Sequence, residues 1–546
     1  MYVTSVPENA EFDFIVVGSG SAGCAVANRL TADGRHSVLL IEAGGRDNNH
    51  NIHVPVLVAN VLNDERWTWP YMTEAQTDLN GRAQKWARGR VIGGSSSING
   101  GIFVRGDPQE YDSWRDAKGC SGWGYSDLLP IFKRLEHYPQ GDPAVRGTGG
   151  PIHCTRLEKF DALSDAYLAA CAEQGYRILD DYNDGSYEGA FYIQMATRRG
   201  FRNSSAVGYL RPALKRPNLT VITNALVTRV LLDGKRATGV ELRLGDVTRK
   251  LIARREVVLS AGPMASPQLL ELSGIGASNV LQEQGVEVVH HLPGVGENLL
   301  DHPNTRITFE CALPITINDV LRSPWRKFRE GLKFVFKRGG LLSISSSTVQ
   351  AHVRSNPREA QPDMVLRLQP LSGNDRYART PKLGLDPFPG FTIGITLLRP
   401  RSVGALHIKS RDPSAHPRMD PRYLSHEADA QLFLDGIRLA RQLSQRPALK
   451  PLVVRETRPG PEVQDEAALF DYIRSTVQTA WHQVGTCKMG VDDAAVVDPQ
   501  LRVRGIDGLR VIDSSIFPTI PAANTNIPSI ATGEKGADLL LEAARA

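Results

Sequence analysis

Cysteine is scarce in this sequence, and its few copies are scattered. The chain has 546 residues and six cysteines, at Cys24, Cys120, Cys154, Cys171, Cys311 and Cys487. No two of them form a CxxC pair and none clusters with histidines at zinc-ligand spacing, so the pattern predicts neither a disulfide framework nor a metal site. The N-terminus also lacks a cationic start and an apolar leader segment. A reduced, cytoplasmic location is therefore expected.

Long apolar runs and basic clusters are missing as well. No stretch reaches the roughly 20 apolar residues of a membrane-spanning helix. Sixty-four basic against fifty-nine acidic residues leave a formal charge of +5, small for this length, and without a basic stripe no nucleic-acid partner is expected. Hydrophobic and charged fractions of 41% and 23% are typical of a globular protein, and the length allows two or three domains.

What the sequence does contain is a dinucleotide-binding fingerprint near its start. Residues 12–43 consist of an apolar run, a glycine-rich turn, a helical pattern, and a second apolar run that ends at Glu42 and Ala43. This order of strand, turn, helix, strand and acid is the context that the fingerprint requires. The turn itself is formed by Gly18, Ser19, Gly20, Ser21, Ala22 and Gly23.

The glycines of the turn have separate tasks. Gly18 permits the tight turn, Gly20 lets backbone N–H groups approach a pyrophosphate, and Gly23 lets the helix pack closely on the strand. The positive end of the helix dipole then faces the phosphates. Glu42 can accept hydrogen bonds from both ribose hydroxyls of an adenosine and would repel the extra phosphate of NADP. The pattern leaves FAD and NAD open, with a plain strand–helix turn as the alternative.

A second informative stretch, residues 88–99, reads RGRVIGGSSSIN. Its glycines, serines and amide allow the backbone to pass close to a flat, polar ligand. A serine–glycine linker is the alternative, but apolar residues bracket this stretch, which a linker would not need. These residues are Trp86, Ile92, Ile98, Ile102 and Phe103.

Nearly from end to end, the chain resembles the glucose–methanol–choline (GMC) family of flavoprotein oxidoreductases. The first family signature is similar to residues 88–99, and the second to residues 262–276. Further family-like stretches are residues 202–210, 292–302, 481–490 and 510–526. The resemblance implies that the fingerprint binds FAD and not NAD.

The resemblance also implies a set of cofactor contacts. Asn99 and Gly100 are expected beside the flavin ring, and Val227 is expected to contact adenine through its backbone. Ile98 occupies the position at which some choline-oxidising relatives tether the flavin through a histidine, so the FAD is predicted to be non-covalent. The full set is Gly18, Ser19, Gly20, Ser21, Ala22, Gly23, Glu42, Ala43, Arg88, Val91, Gly93, Gly94, Ser95, Asn99, Gly100, Val227, Ala261, Trp481, Asp513 and Asn526.

His482 and Asn524 are the candidate catalytic residues. Alcohol oxidation needs a base for the hydroxyl proton, and an imidazole suits this task. A lone histidine is more often structural, but the family-like stretch 481–490 implies catalysis for His482. Asn524 aligns with the second active-site position of the family, where an amide can hydrogen-bond the substrate oxygen. A turn-forming asparagine is the alternative.

Two residues are candidate substrate contacts. Trp481 precedes His482 where choline-type relatives usually have tyrosine, and Gln483 stands where they have proline. Trp481 can form an aromatic wall that favours flat or apolar alcohols over a quaternary ammonium, with core packing as an equal alternative. Arg367, on a predicted strand, can bind a carboxylate or polar substituent of the substrate, although pairing with a nearby acid is the favoured interpretation.

Residues 325–336, WRKFREGLKFVF, predict a basic amphipathic helix. Such a helix can lie on an anionic membrane. Packing of its apolar stripe onto the protein is the commoner arrangement and is the favoured interpretation here, while peripheral membrane contact stays open.

The predicted fold class is α/β (α+β overall), a Rossmann-like FAD-binding domain with an inserted substrate-binding domain on an antiparallel sheet with helices. The FAD domain is predicted to comprise residues 10–154, 218–310 and 471–546, and the substrate domain residues 155–217 and 311–470. The predicted reaction is oxidation of a primary alcohol to an aldehyde, with hydride transfer to flavin N5 and reoxidation by oxygen or a quinone-like acceptor. Because GMC relatives include hydroxynitrile lyases and fatty-acid photodecarboxylases, a lyase or photodecarboxylase is the alternative.

Overall fold

Two large β-sheets organise the chain in the computed structural model, which describes residues 1–158, 160–344, 347–374 and 384–545. The first sheet has eight strands and contains the fingerprint. In spatial order its strands are Tyr2–Val3, Leu219–Ile222, Val38–Ile41, Glu11–Val17, Val247–Leu259, Arg236–Leu244 and Ala225–Asp233, with Leu509–Val511 paired to Val247–Leu259.

The central strands of this sheet are parallel, and helices cover them. Glu11–Val17 pairs in parallel with both Val38–Ile41 and Val247–Leu259. All four residues of Val38–Ile41 are buried, as expected for a strand that is covered on both faces. The first helix, Ser21–Leu30, packs against the last helix, Asn526–Ala543. This arrangement places the start of both helices at the carboxyl edge of the sheet, where ligands of open α/β sheets bind.

The second sheet has seven strands and is antiparallel. In spatial order its strands are Val453–Arg458, Pro303–Cys311, Gly390–Leu397, Met364–Gln369, Val349–Val353 and Gly189–Tyr192, with Gln478–Thr479 paired to Pro303–Cys311. The helices Ala162–Glu173 and Glu427–Ser444 pack against this sheet. Its core includes Phe391, Ile393 and Ile395 from one strand and Leu366 and Leu368 from the next.

The remaining elements are short or connect the two sheets. The other helices are His50–His53, Pro108–Asp116, Tyr125–Leu135, Arg211–Ala213, Gly262–Leu272, Ser278–Glu283, Ile317–Arg322, Pro324–Lys337 and Glu466–Thr476. Single helical turns are Pro55–Asn60, Thr77–Leu79, Gly94–Ser97, Ala206–Leu210, Leu341–Ser343, Lys450–Leu452 and Ser514–Ile516. Short strands are Thr68–Met72, Lys85–Gly89, Glu136–His137, Ile152–His153, Thr155–Arg156, Gln194–Met195, Thr197–Arg198, Phe201–Arg202, Ile275–Gly276, His290–His291, Ala405–His407 and Arg418–Asp420.

The predicted α/β class, with a Rossmann-like sheet and a separate antiparallel sheet, is confirmed. The division into two domains stays a prediction. Pro303–Cys311 pairs entirely within the second sheet, so we place that domain junction before Pro303 and not after residue 310. Within the described ranges, each helix is too short or too polar to cross a bilayer.

Candidate active site

The carboxyl edge of the first sheet opens onto a cavity of about 1170 Å³, here called the nucleotide-end cavity. Strand ends, the glycine turn and the second family-like stretch form its wall. The predicted cofactor residues that line it are Gly18, Gly20, Ser21, Ala22, Glu42, Ala43, Arg88, Gly94, Ser95, Val227, Ala261 and Asp513.

A second cavity of about 1190 Å³, the flavin-end cavity, continues from the first. Ser21, Arg88, Ser95 and Ser529 line both cavities, so the two meet there and form one elongated groove. The other predicted residues that line it are Asn99, Gly100, Arg367, Trp481, His482, Asn524 and Asn526. The groove therefore joins the fingerprint to residues that lie nearly the whole chain away in sequence.

The groove fits an extended dinucleotide such as FAD. Gly20 is the N-cap of the first helix and supplies no side-chain hydrogen bond, so the N–H groups of the first turn are available to phosphates. Gly262 has φ +87°, and a Cβ there would meet no atom within 4 Å, so the cavity wall is open at this point. Gly94 packs directly on the turn, because its Cβ would lie 2.7 Å from the Cα of Gly20.

Four predicted cofactor residues shape the turn without lining either cavity: Ser19, Gly23, Val91 and Gly93. A Cβ on Gly23 would lie 1.9 Å from the carbonyl oxygen of Gly18, which is the close helix–strand contact that the sequence predicts. The N–H of Gly93 donates to the Ser19 carbonyl at 2.9 Å and connects the 88–99 stretch to the turn.

Glu42 is fixed by the turn that it follows. Its carboxylate accepts hydrogen bonds from the N–H and Oγ of Ser19, at 3.1 and 2.7 Å, and from the N–H of Gly44 at 2.8 Å. Burial raises the pKa of Glu42. Since a carboxylate offers about four acceptor positions, capacity for a ribose hydroxyl remains.

His482 lies between two polar partners at the wall of the flavin-end cavity. Its Nε2 is 2.9 Å from Nδ2 of Asn524, and its Nδ1 is 2.9 Å from Nδ1 of His302. The two imidazole planes are nearly perpendicular, at 88°. On the far side, Nε2 of His302 is 3.0 Å from the carbonyl oxygen of Leu398.

These contacts define the tautomer of His482. A carbonyl oxygen only accepts, so Nε2 of His302 carries a proton and donates it to Leu398. Burial lowers the pKa of His302 to about 3, so the ring is neutral and its Nδ1 is an acceptor. Nδ1–H of His482 must then be the donor between the rings. In this tautomer Nε2 of His482 carries a lone pair that faces Asn524, and a general base needs such a lone pair to accept a proton.

Asp301 fixes the backbone on which His482 is carried. Its buried carboxylate accepts from the His482 N–H at 2.8 Å, the Thr479 hydroxyl at 2.6 Å and the Gln483 amide at 3.0 Å. Burial raises the pKa of Asp301. Gln483, a departure from the choline-type pattern, thus helps to hold the segment that contains His482. Trp481 has φ +61°, a conformation that non-glycine residues adopt rarely and mostly where surrounding contacts impose it.

Arg367 lines the flavin-end cavity. It is only 8% exposed and donates to the hydroxyl of Thr396. It also lines a small inner chamber of about 310 Å³ together with His302, His352 and His482. Arg367 and the candidate base His482 therefore line the same inner chamber.

Several residues of the site were not identified from the sequence. Trp69, Tyr71 and His416 line the nucleotide-end cavity, and the segment 56–62 supplies an apolar wall of the flavin-end cavity; neither group belongs to a recognisable motif. His302 and Asp301 lie within the family-like stretch 292–302, and the adjacent pair of polar residues before a strand is the only sequence signal for them. Among the described residues, no cluster of His, Cys, Asp or Glu is arranged to hold a metal ion.

Fold and site together define a dinucleotide-dependent oxidoreductase, and comparison with known proteins identifies the cofactor and the family. Family models described as GMC oxidoreductase match residues 12–304 and 400–533. The chain belongs to the GMC oxidoreductase family and is an FAD-dependent oxidoreductase that acts on CH–OH donors.

Similar proteins include two choline dehydrogenases. The oxygen-dependent choline dehydrogenase of Photobacterium profundum is 39% identical, with 98% of this chain and 93% of that protein covered. The mitochondrial choline dehydrogenase of Homo sapiens is 38% identical, with 97% and 90% covered. Among solved structures, pyridoxine 4-oxidase from Mesorbium loti has a TM-score of 0.86 at 30% identity, with 96% and 98% covered. A formate oxidase from Aspergillus oryzae has a TM-score of 0.91 at 26% identity, with 99% and 100% covered.

Proposed function

We propose that this protein oxidises a primary alcohol to an aldehyde, with His482 as general base and Asn524 as hydrogen-bond donor to the substrate oxygen. The observation that carries the proposal is the 2.9 Å contact between Nε2 of His482 and Nδ2 of Asn524 at the wall of the flavin-end cavity. A substrate hydroxyl placed between them would replace this contact with one hydrogen bond to each residue.

His482 takes the hydroxyl proton at Nε2. The imidazolium that forms has protons on both nitrogens, and its Nδ1–H still donates to the lone pair of His302. Hydrogen bonds from charged donors are stronger than neutral ones, so this contact strengthens as the proton is transferred. Because the pKa of His302 is lowered to about 3 by burial, the proton stays on His482.

Asn524 stabilises the other product of the proton transfer. Its Nδ2 lies 2.9 Å from Nε2 of His482. With the substrate hydroxyl between the two residues, it would donate to the developing alkoxide, a preorganised contact of the oxyanion-hole type. When bound in the groove, FAD supplies the acceptor for the hydride that leaves the alcohol carbon. Asn99 and Gly100, which line the same cavity, are proposed to hold the flavin ring, with Asp513 and Asn526 along its ribityl chain.

The charge of the cavity favours a neutral or carboxylate-bearing alcohol. Its described lining residues include two guanidinium groups, Arg88 and Arg367, and no carboxylate. Because Arg88 is assigned to the cofactor, Arg367 is the cation that a quaternary ammonium would meet, and Trp481 is the one large aromatic ring among these residues to bind it. We therefore infer a flat or apolar alcohol, with Arg367 as the partner of a polar or anionic substituent, although the relatives named above are choline dehydrogenases.

The electron acceptor is proposed to be oxygen or a quinone-like compound. A cytoplasmic location is supported by the six cysteines, all of which are buried and free. Ile98, which lines the flavin-end cavity, has no nucleophilic atom that could bond to the flavin, and this supports a dissociable cofactor.

Anaerobic stopped-flow reduction of the bound flavin tests the proposal. Benzyl alcohol and 4-(hydroxymethyl)benzoate are expected to bleach the flavin faster than choline does, and Arg367→Met should slow the benzoate selectively. Val454→Ser, a change at a distant exposed site, serves as the control. If no alcohol bleaches the flavin, the lyase or photodecarboxylase alternative is favoured. Repetition of turnover with oxygen and with a soluble quinone identifies the acceptor.

A further inference from the structure

The basic helix, Pro324–Lys337, presents its apolar side chains to solvent. Trp325, Phe328, Leu332, Val335 and Phe336 are 69, 55, 40, 56 and 79% exposed. At 3.6 residues per turn these five side chains share an arc of about 100°. An apolar stripe of this width normally faces a protein core. Here the stripe faces solvent, so the packing interpretation favoured by the sequence is wrong.

The opposite side of the helix is the one that packs onto the protein. Phe334 and Glu330 are buried, and the ring of Phe334 meets Phe201 edge-on with centroids 5.2 Å apart. The Glu330 carboxylate binds Lys333 at 2.6 Å. The helix is therefore held in a fixed orientation by one face, and the exposed stripe is not the result of a detached segment.

Cations follow one edge of the exposed stripe, where Arg329, Lys333 and Lys337 lie on the helical wheel, while Lys327 lies on the other side, next to the buried Phe334. Lys327, Arg329, Lys333 and Lys337 are all exposed, whereas the only acid of the helix, Glu330, is buried. The other large exposed apolar residues of the described chain are mostly isolated in sequence, for example Val454 and Val491, as is normal for a protein surface. This helix thus combines concentrated apolar area with positive charge.

We propose that the basic helix docks this protein on an anionic lipid surface, with the five apolar side chains inserted at the headgroup boundary and the cations against lipid phosphates. An interfacial helix has this combination of an apolar face and flanking Lys and Arg. Self-association through the same face is disfavoured by charge, because an isologous contact places each patch against its own copy and so opposes cations to cations.

The position of the helix gives the contact a functional consequence. The helix contacts the turn Leu341–Ser343, and that turn contacts Pro55–Asn60, which contributes Val56, Val58 and Ala59 to the wall of the flavin-end cavity. A docked protein would therefore hold the apolar side of its substrate cavity close to the lipid, where apolar alcohols and membrane quinones are concentrated.

Co-sedimentation of the FAD-loaded protein with vesicles tests the proposal. The protein is expected to bind vesicles of equal parts phosphatidylcholine and phosphatidylglycerol, to bind pure phosphatidylcholine more weakly, and to be released by salt. Trp325→Ser/Phe336→Ser and, separately, Lys327→Glu/Arg329→Glu should each reduce partitioning about tenfold or more. The control is Val454→Ser/Val491→Ser, which removes two apolar side chains that are 56 and 64% exposed elsewhere on the surface and should leave partitioning unchanged.

Flavin content and alcohol-driven flavin reduction in solution are measured for every variant, so that a folding defect or a failure of the proposed reaction is seen separately from vesicle binding. The proposal is overturned if the unaltered protein ignores anionic vesicles, or if the Trp325→Ser/Phe336→Ser variant partitions as well as its parent. A protein that ignores vesicles but changes its oligomeric state in that variant would assign the stripe to self-association instead.

Discussion

Replacement of His302 by leucine tests how the candidate base is oriented. The change removes the acceptor of the hydrogen bond from Nδ1–H of His482, at 2.9 Å, while it leaves the His482–Asn524 contact in place. A neutral hydrogen bond is worth about 1 kcal/mol and one from a charged donor about 1.5–3 kcal/mol. The loss is therefore larger by about 0.5–2 kcal/mol for the imidazolium than for the neutral ring.

This difference predicts two linked changes in kinetics. Flavin reduction at high pH should slow by about 2- to 30-fold, because each 1.36 kcal/mol of barrier is about tenfold in rate. The acid limb of the kcat/KM profile should move to lower pH by about one unit, because the protonated form of the base loses more stabilisation than the neutral form. Both changes are measured by anaerobic stopped-flow reduction of the FAD-loaded variant across a range of pH.

Two further variants separate this positioning role from general packing. His302→Asn places an amide oxygen near the position of Nδ1. It should restore much of the rate and return the acid limb of the kcat/KM profile towards its original pH. His352→Leu removes another buried imidazole of the same inner chamber, whose pKa burial also lowers to about 3. Because the Nδ1–H of His482 is donated to His302, this change should leave the acid limb in place. An unchanged acid limb in fully flavinated His302→Leu would refute the reasoning.

The remaining predictions concern the base, the glycine turn, the cofactor linkage and acid stability. His482→Ala should cut turnover by about a hundredfold or more, and near-normal turnover in a fully flavinated variant would remove His482 as the base. Gly23→Ala should lower FAD content, measured from absorbance, because its Cβ would lie 1.9 Å from the Gly18 carbonyl oxygen; Gly331→Ala, which meets no atom within 4 Å, is the control. Acid precipitation should release the flavin to the supernatant, whereas yellow protein pellets would contradict a non-covalent cofactor. The free energy of unfolding should decrease as the pH falls below 6.5. The reason is that the unfolded chain then binds protons on His302 and His352, which the folded chain excludes until the pH is about 3. In thermal unfolding measured across pH, His352→Leu should flatten this dependence, and an equally steep profile in the variant would argue against the explanation.

Local motifs were enough to predict the glycine turn and the stretch 88–99, which the structure brings together at the nucleotide-end cavity. The turn at Gly18 and the stretch 88–99 must approach a ligand without side chains, so glycine at fixed spacing records their role directly. The strand that carries Arg367 was also predicted, and it comprises Met364–Gln369. The orientation of the basic helix could not be predicted in this way, because an amphipathic pattern specifies an apolar face but not whether protein covers it.

The partner of His482 could not be predicted either, and the reason is topological. His302 directly precedes the strand Pro303–Cys311, and Leu398 directly follows Gly390–Leu397, the strand paired with it in antiparallel register. The hydrogen bond between them thus extends the ladder of the second sheet to the candidate base. The nucleotide-end cavity is lined by strand ends of the first sheet, so the proposed nucleotide site and the candidate base are oriented by different sheets. Substitutions at the ends of these two strands, next to His302 and Leu398, should therefore alter the pH profile of flavin reduction without altering FAD affinity.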